Sequence, residues 1–229
     1  KEHQKNEYEI KDLKHQTENL LKRSQFYDNS LLAKLLDPKL YDYGFQDISY
    51  FNNDIIYVIN YKPRRSKSKY TGTLFIADGS YAITKVDFEF AEGKRGEKLN
   101  LKLILGVKYV ENMRKGTIIC QKDSINKYHP HYINYEEGRY FYVSRPLKFI
   151  ENSPEKNKTS FNFTVEGTII TKQELLLTSS TKISNDLFNR QTEEKTVPYT
   201  KLSKYDAQIW DQDQTLEPLS EMKMFNAKN

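Results

Sequence analysis

The chain has one cysteine, Cys120, so no disulfide can close within it. That residue lies in "GTIICQKD", an apolar strand pattern in which a buried, inert thiol is expected. No apolar run is long enough to span a bilayer; the longest apolar-rich stretch, "NLKLILGV", is strand-sized and carries a lysine. There is no Gly-x-Ser-x-Gly elbow, no glycine-rich phosphate loop, and no histidine that the sequence pairs with the cysteine. Carboxylates are plentiful, yet no pair stands out for acid–base work, and "DQDQTLE" at 211 to 217 lacks the glycine and spacing of a calcium loop. These absences leave catalysis without named residues. The expectation is a protein that is not an enzyme, with no catalytic residue, no metal site and no cofactor.

What is present points to a β-rich protein with wet faces. Of 229 residues, 37% are apolar and 29% charged, and the mean hydropathy is -0.80. An aromatic content of 13% argues against disorder. Much of it is tyrosine, 17 residues, which buries a ring and leaves its hydroxyl wet. The net charge of +5 is spread among carboxylates, and the densest basic run, "KPRRSKSK" from Lys62 to Lys69, reads as a solvated loop, so no nucleic-acid partner is expected. The "YHPHY" pair, His129 and His131, puts two rings on one strand face, but Pro130 intervenes and no third ligand adjoins them. Aromatics among basic residues in "RYFYVSRPLKF" read as cross-strand packing. The opening "KEHQKNEYEI" carries neither Met nor a leader, so the sequence is expected to be a fragment without its targeting information.

Hydrophobic periodicity changes once along the chain. Up to residue 40, Ile10, Leu13, Leu20 and Leu21 lie near helical spacing, and "DNSLLAKLLDP" offers Asp28, Asn29 or Ser30 as a cap and Pro38 as a stop. From Tyr41 the period is two. Reversals are expected at Asn52-Asn53, at Asp78-Gly79, through "GKRGEK", and at Glu137-Gly138. Ala82, Val86, Phe88 and Phe90 should face inward, and "LNLKLILGVKYV" should be one strand with Leu99 to Tyr109 alternating on a single side. Pro146 and Pro154 mark an excursion from the sheet. Residues 182 to 204, polar and carrying Pro198, read as loop or partly ordered, with a short helix expected near Met222 to Phe225. Eight to ten antiparallel strands with the helices at the front exclude a parallel βαβ fold, and an immunoglobulin-like sandwich would leave the amphipathic start without a partner. The predicted fold class is therefore α+β, a large curved antiparallel sheet with N-terminal helices packed on its concave face. One domain is expected over 1–229, helical over 1–40, stranded over 41–181 and loop-rich over 182–229.

The segment "YVINYKPRR…KYTGTLFIADGSYAITKVDFEF" resembles a recurrent stretch in Bacteroidetes envelope proteins that follow a carboxypeptidase-like regulatory domain, and "IWDQDQTLEPLSEMKMF" is similar to their usual ending. The same hairpin is similar to one in the LolA/LolB-like lipoprotein carriers. That resemblance implies a half-barrel, a location in the periplasm or on the outer membrane, and peripheral rather than spanning contact with the membrane. A curled sheet with one apolar face must fill its hollow with helices or a ligand. The candidate lining residues are Leu74, Ile76, Val86, Phe88, Leu101, Leu103 and Phe163. The expected function is a non-catalytic envelope module holding a lipid or other apolar ligand. The alternative is an interaction domain that docks to an envelope protein in outer-membrane assembly or glycan uptake.

Overall fold

The leading helical stretch resolves into two short helices, α1 (Leu13–Arg23) and α2 (Leu31–Leu35). The structure, a computed structural model, describes residues 13–51, 54–179, 181–192, 204–208 and 223–224. Of the three candidate caps, Ser30 is the one used: its Oγ accepts the Ala33 N–H at 3.1 Å, satisfying an orphan donor of the first turn. Asn29 takes the left-handed conformation just before it, with φ 66°. α2 ends before the turn that holds Pro38.

The period-two region forms β1 (Tyr41–Phe51), β2 (Asp54–Pro63), β3 (Tyr70–Ala77), β4 (Ile83–Phe90), β5 (Lys98–Leu101), β6 (Val107–Lys122), β7 (Tyr128–Ile150) and β8 (Lys158–Leu176). Among the described residues these eight strands make one open, curved antiparallel sheet in the order β1-β2-β3-β4-β6-β7-β8, with β5 paired to β6. Two further short helices are α3 (Lys102–Leu105) and α4 (Asn185–Arg190). The chain divides into two units, one of residues 20–177 and the other of 1–19 with 178–229. The larger unit holds the sheet. In the smaller unit, α4 is capped by Ser184, whose Oγ accepts the Leu187 N–H at 3.1 Å, so part of the expected loop over 182–204 is helical.

One sheet face carries the core. Leu32 and Leu35 of α2 are fully buried there, with Leu20 at the end of α1, against Tyr61, Leu74, Val86, Phe88, Ile118, Ile133 and Tyr135. Burying a leucine this fully stabilises by about 1.5–3 kcal/mol, so α2 is held by packing rather than by its five-residue length. Glycine makes room for the rings: Gly72 lies opposite both Tyr61 and Phe88, and the Tyr61 hydroxyl donates to the Asp87 carbonyl at 3.0 Å.

Several expectations are corrected by bulges and by one helical turn. Val86 and Phe88 are buried as expected, but a register shift at Thr84 puts Ile83, not Ala82, opposite Ile76 on the core face. The chain does not reverse at Glu137-Gly138: β7 runs straight through, and Gly138 meets a bulge in β6 where an added Cβ would lie 2.9 Å from Met113 Cβ. Pro146 does not interrupt a strand either, because β6 pairing ends at Val143 and Pro146 pairs with β8 alone. Pro154 lies in the reversal between β7 and β8. The stretch expected as a single strand over Leu99 to Tyr109 folds back on itself as β5, α3 and β6, with Leu101 opposite Val107. Gly106 makes that reversal at φ 63°, where a Cβ would come 2.1 Å from the Ser144 carbonyl oxygen. Phe51 pairs with Asp54; Asn52-Asn53, expected as a reversal, lie outside the described residues, as does the expected helix near Met222 to Phe225 apart from Lys223 and Met224.

Candidate functional site

Strand alternation carries the core face of the sheet well beyond the helices. On β7 the odd-numbered residues from Ile133 onward share one side. Ile133 and Tyr135 lie under α1 and α2, whereas Phe141, Val143, Leu147 and Phe149 continue past the residues that the helices contact. Their cross-strand partners are Tyr109 and Val107 on β6 and Val165 and Phe161 on β8, and Leu99 and Leu101 on β5 extend the same side. Leu99 is 47% exposed, and Phe161 and Phe163 are each 49% exposed. The result is a broad apolar surface, open to solvent, on the face that elsewhere forms the core. Contiguous apolar surface of this kind marks a binding site more often than isolated exposed residues do.

A charged network lies where the covered and open halves meet. Glu137 on β7 is buried and takes Arg23 of α1 at 3.0 Å, Arg139 at 2.9 Å and Arg114 Nε at 3.4 Å. Glu111, also buried, pairs with Arg114 and accepts the Glu97 N–H at 3.1 Å. Arg114 Nη1 donates to the Tyr70 hydroxyl at 3.1 Å, and the Arg23 guanidinium lies 5.3 Å above the Tyr135 ring. Burial pushes the pKa of the Tyr70 phenol up and that of Tyr135 further up, although neighbouring arginines pull both the other way. Glu137 is thus held among three cations and Glu111 by one, and the Arg23–Glu137 pair fixes the end of α1 to β7.

The other face of the sheet is wet. Lys85 and Thr117 hold Asp87 at 2.7 Å each, Lys115 holds Glu136 at 3.0 Å, and Tyr132 and Asn134 donate to Glu174. Two shallow concavities lie there: one of about 360 Å³ floored by Gly72 and Gly116, and one of about 750 Å³ between Asn60, Thr71 and Glu89. Asp87, Lys115 and Glu136 in the first are paired across the sheet and Asp42 in the second pairs with Arg64, as on a solvated surface.

The structure separates the residues expected to line a hollow. Leu74, Val86 and Phe88 lie in the packed core under the helices, with Ile76 beside them. Leu101 and Phe163 lie on the open half of the face. Leu103 is on α3, fully exposed. Sequence reading missed Leu99, Val107, Val143, Phe161 and Val165, although the alternation in "SFNFTV" carried that signal.

Burial pushes the pKa of the Cys120 thiol up to about 11, so at neutral pH it is protonated and inert. His129 Nε2 lies 2.9 Å from Asp123 Oδ2 and His131 Nδ1 2.9 Å from the Leu177 carbonyl, so each ring has its own partner. Among the described residues no three His, Cys, Asp or Glu side chains are grouped to hold a metal, and no helix is long and apolar enough to cross a membrane. Compared with known proteins, the chain matches no protein-family model, no curated protein and no solved structure.

Proposed function

We propose that the chain is a non-catalytic binding module that holds an apolar ligand, such as an acyl chain, against the open half of its core face. The observation that carries this reading is the exposed half of the core face: the side of the sheet that packs on α1 and α2 at one end carries, beyond the charged network, Leu99, Leu101, Val107, Val143, Phe163 and Val165, all outside the cluster that those two helices join. Apolar surface of this extent gains about 25 cal/mol for each Å² removed from water, so a flexible chain laid along it is retained by area alone. On this reading the sheet acts as the half-barrel wall of a lipoprotein-carrier-like module in a bacterial envelope, and its helices fill only part of the hollow. The deciding measurement is native mass spectrometry before and after delipidation, with titration of a fluorescent fatty acid. Bound lipid and saturable probe binding are expected, and Leu101→Ser with Phe163→Ser should weaken the probe by about tenfold or more, since each removes about 1.5–3 kcal/mol of apolar contact. A lipid-free preparation whose probe binding ignores both substitutions sinks the idea.

A second reading, an interaction domain for an envelope protein with no small ligand, draws on β1. It is an edge strand with Phe45 66% and Tyr50 72% exposed, a template for an added strand. A stoichiometric envelope partner released by substitutions in β1, together with absent lipid, would favour it.

A further inference from the structure

Beyond Val143 the sheet narrows to two strands. β6 pairing stops there, so residues 144–150 of β7 and 158–164 of β8 pair only with each other as a projecting ribbon. Two-stranded ribbons are marginal alone and need a cover for an apolar face. One side of this ribbon carries Leu147, Phe149, Phe161 and Phe163, all 40–59% exposed, with the Phe149 and Phe161 rings stacked at 5.5 Å. The other side carries Lys148, Ile150 and Lys158 among Ser160, Asn162 and Thr164, and Arg145, opposite Phe163, joins the apolar side.

A second apolar tip stands at the base of the ribbon. α3 is tied to it by the Ser144 N–H, which donates to the Gly106 carbonyl at 2.7 Å, and it exposes Leu103 completely and Ile104 by 81%. Charge completes the pattern. Residues 144–164 hold four basic and two acidic side chains, and Arg145, Lys148, Lys156 and Lys158 make no ion pair among the described residues. Apolar side chains at the ends of two projections cannot enclose a single acyl chain. They suit entry into a soft apolar layer, while Lys148 and Lys158, on the opposite side of the same thin ribbon, have stems long enough to bring their unneutralised ammonium groups to its negatively charged border.

We infer that the β7–β8 ribbon and the α3 tip dock the protein on an anionic lipid bilayer surface, inserting Leu103, Ile104, Phe149 and Phe161 below headgroups that neutralise Lys148 and Lys158. This surface adjoins the open half of the core face at Phe149, Phe161 and Phe163, while α3 and the lysines lie off it, so vesicle binding and fatty-acid binding are read separately. The test is co-sedimentation of the full chain with vesicles of phosphatidylcholine alone and of phosphatidylcholine with about one-third phosphatidylglycerol. Binding is expected to the anionic vesicles and to weaken on raising salt from about 0.1 M to about 0.5 M. Lys148→Gln with Lys158→Gln should lower the partition coefficient about 25-fold, at about fivefold per charge. Leu103→Ser with Ile104→Ser, and separately Phe149→Ser with Phe161→Ser, should lower it further, and the first pair, which lies off the ligand face, should leave the melting temperature and fatty-acid probe binding unchanged. Failure to bind anionic vesicles, or binding indifferent to all three pairs, overturns the inference. So does a concentration-dependent dimer lost in these variants without vesicle binding, which would assign the surface to a second copy of the chain.

Discussion

Gly72 shows how one side chain, or its absence, shapes the core. It lies between two aromatic partners, and a Cβ there would meet the Asp87 carbonyl oxygen at 1.9 Å and the Tyr61 hydroxyl at 2.7 Å. The first contact is with backbone and cannot swing away. Gly72→Ala should therefore force β3 and β4 apart and cost about 1–3 kcal/mol, the usual range for overpacking, read as a lower urea midpoint. Gly44→Ala, where nothing lies within 4 Å of the added carbon, serves as the matched control and should change the midpoint little. The sequence shows glycines in β1 and β3, but nothing in it says that one faces a backbone carbonyl and the other open space.

At the scale of elements, α2 has only five residues, so its cap and its packing must both contribute. Ser30→Ala removes the acceptor of the Ala33 N–H and should cost about 1 kcal/mol, measured by chemical denaturation. The cap was legible in "DNSLLAKLLDP" because small polar residues before a leucine run have few other uses. The strand count was legible for a similar reason, since period-two alternation persists from Tyr41 to Leu176. The reversals were less so. In "LNLKLILGVKYV" alternation alone favours one strand, yet Gly106 in the left-handed region turns the chain back and exposes Leu103. At Glu137-Gly138 the opposite happened: a glycine suited to a turn is instead the relief for a bulge on the neighbouring strand. Both cases depend on what lies across the sheet, which one strand's sequence does not contain. The candidate site was half legible, because alternation identifies an apolar face but not where the helices stop covering it.

For the molecule as a whole, burial of acidic side chains sets the response to alkali. Burial pushes the phenols of Tyr61 and Tyr135 above 10.0 and the Cys120 thiol from 9.0 to about 11. The folded chain keeps these protons where the unfolded chain releases them, so their contribution is whole below pH 9.0 and is lost as pH rises through the folded values. The urea midpoint should fall between about pH 8 and about pH 10.5, and Cys120→Ala should remove only the earliest part of that fall. A flat midpoint over this range would count against burial of all three. The bond between Arg23 and Glu137 has a consequence in time as well as in space. Its ends are 114 residues apart, and the core under α2 also needs Ile133 and Tyr135. At roughly 5–20 residues per second of synthesis, the leucines of α1 and α2 wait about 6–20 s for their partners to be made. Until β7 is made, those leucines have only the earlier strands to cover, and the core lacks Ile133, Tyr135 and the Glu137 anchor of α1. The chain is therefore a demanding client for whatever shields nascent polypeptides, and early truncations should aggregate rather than fold.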